Sequence, residues 1–353
     1  CQAVKDVPAA EATTAPSQEA PKPLVVADNE IHIAAVGDIM LGTTYPDSNK
    51  LPPEDGAKLL AEVTPILSAA DIAFGNLEGP MLEGGETTKC SPTSTRCYAF
   101  RVPTRYGKHL KDAGFDLMSL ANNHANDFGA EGRASSQRVL KELGIAYAGG
   151  DANDVAYLSV KGKKIAVVAF ATNRVSLNLN DIAIAKRAVA AAAKKADLVI
   201  VSFHGGAEGP ANQHVPHGAE LFLGEARGDL RTFTHAVIDA GADLVLGHGP
   251  HVLRGMEVYR ERLIAYSLGN FATYGKFQLV GPTALSLILE TRLAPDGKFL
   301  GGRIVPAKQE GMGGPRHDNN RTATKVIRQL SSDDFGASAV KVSDDGMISM
   351  PSE

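Results

Sequence analysis

The chain has 353 residues, of which 44% are hydrophobic and 22% are charged. Lysine and arginine number 36 against 40 aspartates and glutamates, which gives a formal net charge of −4. The length allows one large domain or two ordinary ones, and the apolar fraction excludes a chain that is disordered throughout. The balanced charge argues against nucleic acid as the main partner, and the absence of a run of 18 apolar residues argues against a membrane-spanning helix.

From about residue 30 onward, short apolar runs alternate with segments of helical periodicity. The predicted helices cover residues 59–67, 105–113, 131–143, 181–195, 229–240 and 323–330. The predicted strands cover residues 31–36, 71–75, 115–120, 145–148, 198–203, 243–246 and 263–268, with hairpins over 157–171, over 284–308 and around 345–346. Strands that alternate with helices predict βαβ units, and the late hairpins predict antiparallel pairing, so we expect a mixed α/β sandwich.

The composition divides the chain into three predicted parts. Residues 1–29 are rich in Ala, Pro, Thr and Glu and lack apolar periodicity, which is typical of a flexible tether. Residues 30–310 carry the alternating pattern and form the predicted main domain. Residues 311–353 are predicted to be a C-terminal extension that packs on the same domain.

The three cysteines fall into one single residue and one pair. Cys1 stands first, as in bacterial lipoproteins, so we expect lipidation there and an extracytoplasmic protein anchored to a bacterial membrane on the periplasmic or cell-surface side. The alternative is a chain start created by cloning or trimming. In such a compartment Cys90 and Cys97 are expected to form a disulfide. Two reduced thiols or a metal-binding pair are the alternatives, although no neighbouring Cys or His completes a metal site.

Polar residues follow most of the predicted strands. In α/β sheets, ligands bind at the carboxyl ends of strands, so these side chains are expected to meet at one edge of the fold. The set consists of Asp38, Asn76, Glu78, Asn122, Asn123, His124, His204, His248, His251, Ser267 and Asn270. Carboxylates, amide oxygens and imidazoles together suit Zn, Mn or Fe, and a pair of such ions stabilises displacement at phosphorus.

The order GD, GNLE, NNH, H, GHGPH and YSLGNF resembles the CapA family of bacterial capsule synthesis, which is linked to poly-γ-glutamate production. That family belongs to the calcineurin-like metallophosphoesterase superfamily. The resemblance extends over about residues 31–314. It implies a four-layer αββα sandwich of mixed β-sheets that holds one or two divalent ions, with Mn, Zn or Fe expected.

The resemblance also implies roles for individual residues. Asp38 would be a terminal metal ligand, and Glu78 the carboxylate that bridges two ions. Asn123 would bind the second ion through its amide oxygen, with His204 beside it. His124 would be the acid that protonates a leaving oxygen or steadies the attacked group.

Two positions depart from the pattern that the resemblance implies. The first motif of the superfamily is Asp-x-His, and Met40 stands where the histidine belongs. His251 matches the last histidine of the superfamily, but Gly249 replaces the first histidine of a common His-Pro-His, which leaves His248 one position early. These departures imply that one ion binds tightly and that the other binds weakly or not at all.

Six further residues are expected to line the cleft or to support the ligands: Asn76, Asn122, Glu208, Arg254, Ser267 and Asn270. A surface ion pair for Glu208, an internal ion pair for Arg254 and turn capping by the serine and the last asparagine are the alternatives. His214 and His217 are expected to be exposed to solvent.

Two functions compete on this sequence. The first is a metal-dependent, phosphoesterase-like hydrolase in capsule or cell-envelope polymer biosynthesis, acting on an anionic envelope metabolite or polymer. The second is an accessory lipoprotein that binds such a polymer without turnover and keeps a partial metal site, as Met40 favours. A structural lipoprotein is a third reading, which requires that the polar set does not converge. Substrate and oligomeric state stay open.

Overall fold

A computed structural model describes residues 23–87, 89–90, 97–151 and 155–352. The helices are α1 Thr64–Leu67, α2 Gly107–Asp112, α3 Gly129–Glu142, α4 Ile182–Ala193, α5 Leu230–Asp239 and α6 Thr322–Phe335. Within the described ranges, no helix is both long enough and apolar enough to cross a membrane. Cys1 and residues 2–22 of the predicted tether lie outside the described residues.

The strands are numbered along the chain. They are β1 Ile31–Met40, β2 Ile72–Leu77, β3 Leu117–Ser119, β4 Ala146–Ala148, β5 Val155–Val160, β6 Lys163–Ala171, β7 Leu177–Asn178, β8 Leu198–His204, β9 Glu220–Phe222, β10 Glu225–Gly228, β11 Leu244–His248, β12 Met256–Tyr259, β13 Arg262–Ala265, β14 Asn270–Thr273, β15 Leu285–Leu293, β16 Phe299–Gln309, β17 Pro315–His317, β18 Lys341–Val342 and β19 Met347–Ser349.

Most of these strands form two mixed sheets. The first has the order β18-β19-β16-β15-β1-β2-β3-β4, with β14 beside β1 and β17 beside β16. The second has the order β12-β13-β11-β8-β6-β5, with β7 beside β6. The strands after residue 311 therefore extend the first sheet, and β9 and β10 form a separate hairpin.

Three apolar clusters show how the sheets and helices are layered. One cluster lies between the sheets and joins residues such as Ile33 of β1 and Ile200 of β8. A second covers the outer face of the first sheet with α1, α2 and α3, for example through Leu140. A third covers the outer face of the second sheet with α4 and α5, through Val189 and Phe233. The predicted four-layer αββα sandwich is therefore confirmed.

The ends of several elements differ from the prediction. The helix expected over residues 59–67 is regular only at Thr64–Leu67, because Pro65 lacks a backbone N–H and favours the first turn of a helix. The sequence analysis missed the β9–β10 hairpin and β12. Strand β1 continues to Met40 rather than ending at Val36, so Asp38 lies inside the strand.

Two glycines allow close backbone approach to the segment between β13 and β14, beside the polar residues. Strand β1 pairs with β15 as far as Val36 and then with β14 from Asp38 onward. A Cβ on Gly37 would lie 2.0 Å from the carbonyl oxygen of Gly269, and a Cβ on Gly247 would lie 2.3 Å from that of Tyr266. Only glycine permits these approaches, which explains why it precedes both Asp38 and His248.

Candidate metal centre

The register of the strands sets the predicted residues level with one another. Asp38 of β1 lies opposite Asn76 of β2 and Asn270 of β14. In the second sheet, His204 of β8 lies opposite His248 of β11. Asp38, Asn76, His204 and His248 stand at or near the carboxyl ends of parallel strands, and Asn270 is the first residue of β14, so both sheets deliver polar side chains to the same edge.

Three of these side chains form a compact ligand group. Asp38, Glu78 and His251 each offer an atom within 4.8 Å of the others, and all three residues are buried. His204 borders this group, with Nε2 3.8 Å from Glu78 Oε1 and Nδ1 4.0 Å from Asp38 Oδ1. The structure thus brings together two carboxylates and two imidazoles of the predicted site residues.

Six buried atoms of the predicted site residues have no hydrogen-bond partner among the described residues, although one of them, Asp38 Oδ2, lies 3.0 Å from His251 Nδ1. They are Asp38 Oδ2, Glu78 Oε1 and Oε2, Asn123 Oδ1, His204 Nε2 and His248 Nδ1. An unpaired buried polar atom costs about 1–3 kcal/mol, so such a concentration is unfavourable without a further partner. A divalent cation accepts this set of oxygen and nitrogen donors, so the residues fit a metal ion.

The charges in the cluster support the same conclusion. Burial, reinforced by the charges of Asp38 and Glu208, raises the pKa of Glu78 to about 8. Burial alone lowers the pKa of His251, but the charge of Glu78 and the contact with Asp38 outweigh it and raise that pKa to about 10. For Asp38, the His251 contact and the nearby histidines outweigh burial and lower the pKa. The raised pKa values favour the protonated forms of Glu78 and His251 at neutral pH.

The backbone of the GHGPH segment orients both of its histidines. His248 Nε2 lies 3.1 Å from the carbonyl oxygen of Val36, so this nitrogen donates and Nδ1 keeps the lone pair that a metal requires. His251 has φ = 58°, a left-handed conformation that is unusual for a residue other than glycine. At Gly249, φ is 112° and a Cβ would lie 2.7 Å from the Gly205 carbonyl oxygen, so a histidine cannot take this position without moving the chain.

The predicted asparagines support the ligands. Asn76 Nδ2 donates to Asp38 Oδ1 at 2.8 Å and lies 3.2 Å from His204 Nδ1. Asn122 donates to Asn76 Oδ1 at 3.2 Å. Asn270 Oδ1 lies 3.1 Å from His251 Nδ1, and its amide nitrogen lies 3.2 Å from the His251 carbonyl oxygen.

The predicted acid, His124, pairs with a carboxylate that the sequence analysis missed. His124 Nδ1 lies 2.7 Å from Asp127 Oδ2, and both side chains are buried. Burial lowers the pKa of His124, with Asp127 opposing that effect. The spacing of three residues between His124 and Asp127 was a signal that could have identified the pair.

Two arginine–glutamate pairs hold the loop that follows β8. Arg254 was expected to line the cleft or to support the ligands, with an internal ion pair as the alternative. It is fully buried and binds Glu220 through both terminal nitrogens, at 2.9 and 2.7 Å. The internal ion pair is therefore its role. Glu208 lies 3.1 Å from the buried Arg227, an arginine that the sequence analysis did not single out, and Glu208 also lines the cleft.

The remaining predicted residues stand outside the ligand group. Ser267 Oγ donates to the Val252 carbonyl oxygen at 2.7 Å and accepts from the Gly269 N–H at 3.2 Å, so turn capping describes it. His214 is exposed and lies 2.7 Å from Asp334, and His217 is exposed as predicted. Met40 is fully buried and supplies no nitrogen or oxygen ligand.

Two cavities open beside His251. One, of about 240 Å³, is lined by His124, Tyr98, Phe100 and Lys276 among others. The other, of about 400 Å³, includes Phe222 and Val280. Phe277 lines both cavities, and its ring centroid lies 5.0 Å from that of His251. These aromatic walls come from loops and short strands whose apolar residues the sequence analysis did not connect with the site.

The predicted disulfide is confirmed. Cys90 and Cys97 are bonded, with their Cα atoms 5.5 Å apart. Residues 91–96 between them lie outside the described part of the chain.

The fold and the site together define an αββα sandwich with a buried carboxylate–histidine centre. The chain matches the family described as "Bacterial capsule synthesis protein PGA_cap" over residues 32–274 and belongs to that family. It is 30% identical over 345 residues to the "Capsule biosynthesis protein CapA" of Bacillus anthracis, with 91% of this chain and 78% of that protein covered. It is also 30% identical over 270 residues to the "PGA biosynthesis protein CapA" of Bacillus subtilis, with 72% of this chain and 66% of that protein covered.

Among solved structures, a putative 5′-nucleotidase from Staphylococcus aureus aligns with a TM-score of 0.46 and 12% identity. The alignment covers 85% of this chain and 58% of that one, so this chain spans less than two thirds of the longer protein. At this level of similarity nothing about activity transfers.

Proposed function

We propose that this protein is a metal-dependent hydrolase of a phosphoester, or of a related bond, in capsule or cell-envelope polymer biosynthesis. The family supports the biological setting. The cluster of orphaned buried atoms around Asp38, Glu78 and His204 is the single observation that carries the proposal. A polymer-binding protein that held no metal ion would gain nothing from keeping these oxygen and nitrogen atoms buried and unpaired.

Asp38, Glu78 and His251 would hold a first divalent ion, and His204, His248 and Asn123 supply further donors nearby. Mn, Zn and Fe are the ions that such mixed donors suit. The ion would neutralise the buried carboxylates and act as a Lewis acid toward an anionic substrate.

The protein's own residues would orient the substrate and move the proton. His124 lines the 240 Å³ cavity, so a leaving group in that cavity would lie beside its imidazole. Because Asp127 accepts from Nδ1, Nε2 is the ring nitrogen that could deliver a proton to a leaving oxygen. Asn270 and Asn76 would keep His251 and Asp38 in place during the reaction.

The test is metal analysis combined with turnover of an aryl phosphate. We expect purified protein loaded with Mn²⁺, Zn²⁺ or Fe²⁺ to bind metal and to hydrolyse 4-nitrophenyl phosphate. Glu78→Gln and His204→Ala should lose bound metal and lower turnover by roughly 10³-fold, since a metal ion supplies several kcal/mol of stabilisation to the transition state. His214→Ala is the matched control, because His214 is an exposed histidine paired with Asp334 outside the site.

A protein that takes up no metal and turns over no phosphoester would refute the hydrolase. The second function, an accessory protein that binds an anionic polymer without turnover, would then be favoured. Met40 supports this alternative, because a buried thioether replaces an imidazole in the first motif. Retention of the protein on immobilised poly-γ-glutamate would identify that case.

We also propose an extracytoplasmic location at the cell envelope, which the family and the disulfide support. Attachment to a membrane through an acylated Cys1 stays a prediction of the sequence.

A further inference from the structure

We infer that Lys89 positions the imidazole of His124 by fixing the carboxylate of Asp127, and that the Cys90–Cys97 disulfide holds Lys89 in place. This inference rests on the proposed hydrolase, in which His124 serves the leaving group. Nothing in the sequence pattern of the polar strand ends points to Lys89, which lies on the loop after β2.

The carboxylate of Asp127 is held on both oxygens. Oδ1 accepts from Lys89 Nζ at 2.5 Å. Oδ2 accepts from the Phe100 N–H at 2.8 Å and lies 2.7 Å from His124 Nδ1. The Asp127 side chain is fully buried, so bulk water does not reach its carboxylate. Its orientation is therefore determined by three fixed donors.

That orientation determines the tautomer of His124. A nitrogen 2.7 Å from a carboxylate oxygen must carry a proton, because two acceptors at this distance repel each other. Lys89 Nζ lies 3.1 Å from the same Nδ1, but it has only protons to donate and cannot replace the carboxylate as acceptor. If Asp127 turned away, Nδ1 would instead accept from Lys89 or from water. The neutral ring would then carry its proton on Nε2, and Nε2 would lose the lone pair that takes up the proton for the leaving group.

Both arms of the disulfide-closed loop contact the same dyad. On one arm, Thr87 Oγ1 donates to the Asp127 carbonyl oxygen at 2.5 Å, and Lys89 follows two residues later. On the other arm, the Phe100 ring lies against the His124 ring with centroids 4.2 Å apart. Cys90 directly follows Lys89, and its bond to Cys97 joins the arms. The disulfide therefore closes a clamp around Asp127 and His124.

An ion pair far from His124 would not position its imidazole, and the pair formed by Lys161 and Asp71 provides that comparison. The Lys89 and Lys161 side chains are each 34% exposed, and each ammonium group pairs with an aspartate. Lys161 pairs with Asp71 at 2.8 Å, before β2 and at the opposite end of the first sheet from His124. Lys161→Met thus removes an equivalent lysine without touching the dyad.

The first test uses leaving groups of different quality. With Lys89→Met, we expect kcat for phenyl phosphate, whose leaving group needs a proton, to fall about 10- to 30-fold. For 2,4-dinitrophenyl phosphate, whose leaving group needs none, kcat should fall less than about 3-fold. KM and bound metal should be unchanged, Lys89→Arg should restore most of the loss, and Lys161→Met should resemble the unaltered protein. Cys90→Ser combined with Cys97→Ser should reproduce the same selectivity at smaller amplitude.

An equal fall on both substrates would show that Lys89 supports the structure in general and would overturn the inference. The second test does not depend on turnover. In imidazole ¹H–¹⁵N NMR spectra of the metal-free protein, His124 should give the signature of a single Nδ1–H tautomer, with the signal assigned by its loss in His124→Gln. Lys89→Met should give a tautomer mixture that Lys89→Arg does not. An unchanged His124 signal in Lys89→Met would overturn the inference, whether or not a phosphoester is hydrolysed. A changed signal in a protein that hydrolyses no phosphoester would refute the hydrolase proposal alone.

Discussion

The two ends of the first sheet bury similar residue types in opposite ways. At the amino end of β1, His32 Nε2 lies 3.1 Å from Glu290 Oε1, and Arg303 Nε lies 2.7 Å from Glu290 Oε2. Asp71 accepts from the His32 N–H at 2.8 Å and pairs with Lys161 at 2.8 Å. At this end, Glu290 pairs with His32 and Arg303, and Asp71 pairs with Lys161, so both carboxylates have partners.

At the carboxyl end, Asp38, Glu78, Asn123 and two histidines leave six buried atoms without a hydrogen-bond partner among the described residues. A cavity of about 600 Å³ borders the amino end, which is larger than either cavity beside His251. Cavity size alone would therefore point to the wrong end. The difference teaches that buried polar atoms without a hydrogen-bond partner, rather than cavity volume or residue type, mark the end that is proposed to bind a metal ion.

The largest effect on stability should come from breaking the paired end. Glu290→Ala removes the carboxylate shared by His32 and Arg303, and loss of one partner in a buried ion pair costs about 3 kcal/mol or more. Urea unfolding should show this loss, while metal affinity at the other end stays unchanged. An unaltered free energy of unfolding would show that the pairing at the amino end contributes no net stability.

A slightly smaller effect should appear at the carboxyl end when metal is added. At a free Mn²⁺ concentration 100 times Kd, binding stabilises the folded state by about 2.7 kcal/mol. Glu78→Gln should abolish this gain, yet change the stability of the metal-free protein by less than about 1 kcal/mol, because the buried Glu78 already favours its neutral form. Equal destabilisation of the metal-free protein by Glu78→Gln and Glu290→Ala would erase the contrast between the two ends.

The smallest effect concerns pH. The pKa of Glu78 rises from 4.5 to about 8 and that of His251 from 6.5 to about 10, so the folded, metal-free protein holds more protons than the unfolded chain above neutral pH. Stability from both groups is present at lower pH and is lost as pH rises through the raised values. From about pH 7.5 to about pH 9.5, the Tm of the metal-free protein should fall by several degrees more than that of Glu78→Gln. Thermal scans of both proteins with chelator present would measure the difference, and parallel curves would contradict it.

The candidate site was largely predictable because its residues stand at strand ends. The sequence predicted Asp38, Glu78, His204 and His251 at the same edge, and in the structure His204 borders the ligand group that the other three form. It could not determine the role of Arg254, because its partner Glu220 lies on a hairpin that the pattern did not reveal. The contact between Lys89 and Asp127 was also missed, because it depends on how the loop after β2 folds back rather than on periodicity.

The sequence by itself predicted a mixed α/β sandwich, the disulfide and the kinds of atoms at the strand ends, because these follow from local periodicity and from residue type. The four-layer αββα arrangement was implied by the resemblance to the CapA family. Only the tertiary structure decided which charges neutralise one another and which stay unpaired. The reason is physical: pairing of a buried charge depends on distances of a few ångströms between residues far apart in sequence, such as His32 and Glu290, and these distances exist only once the sheets have packed.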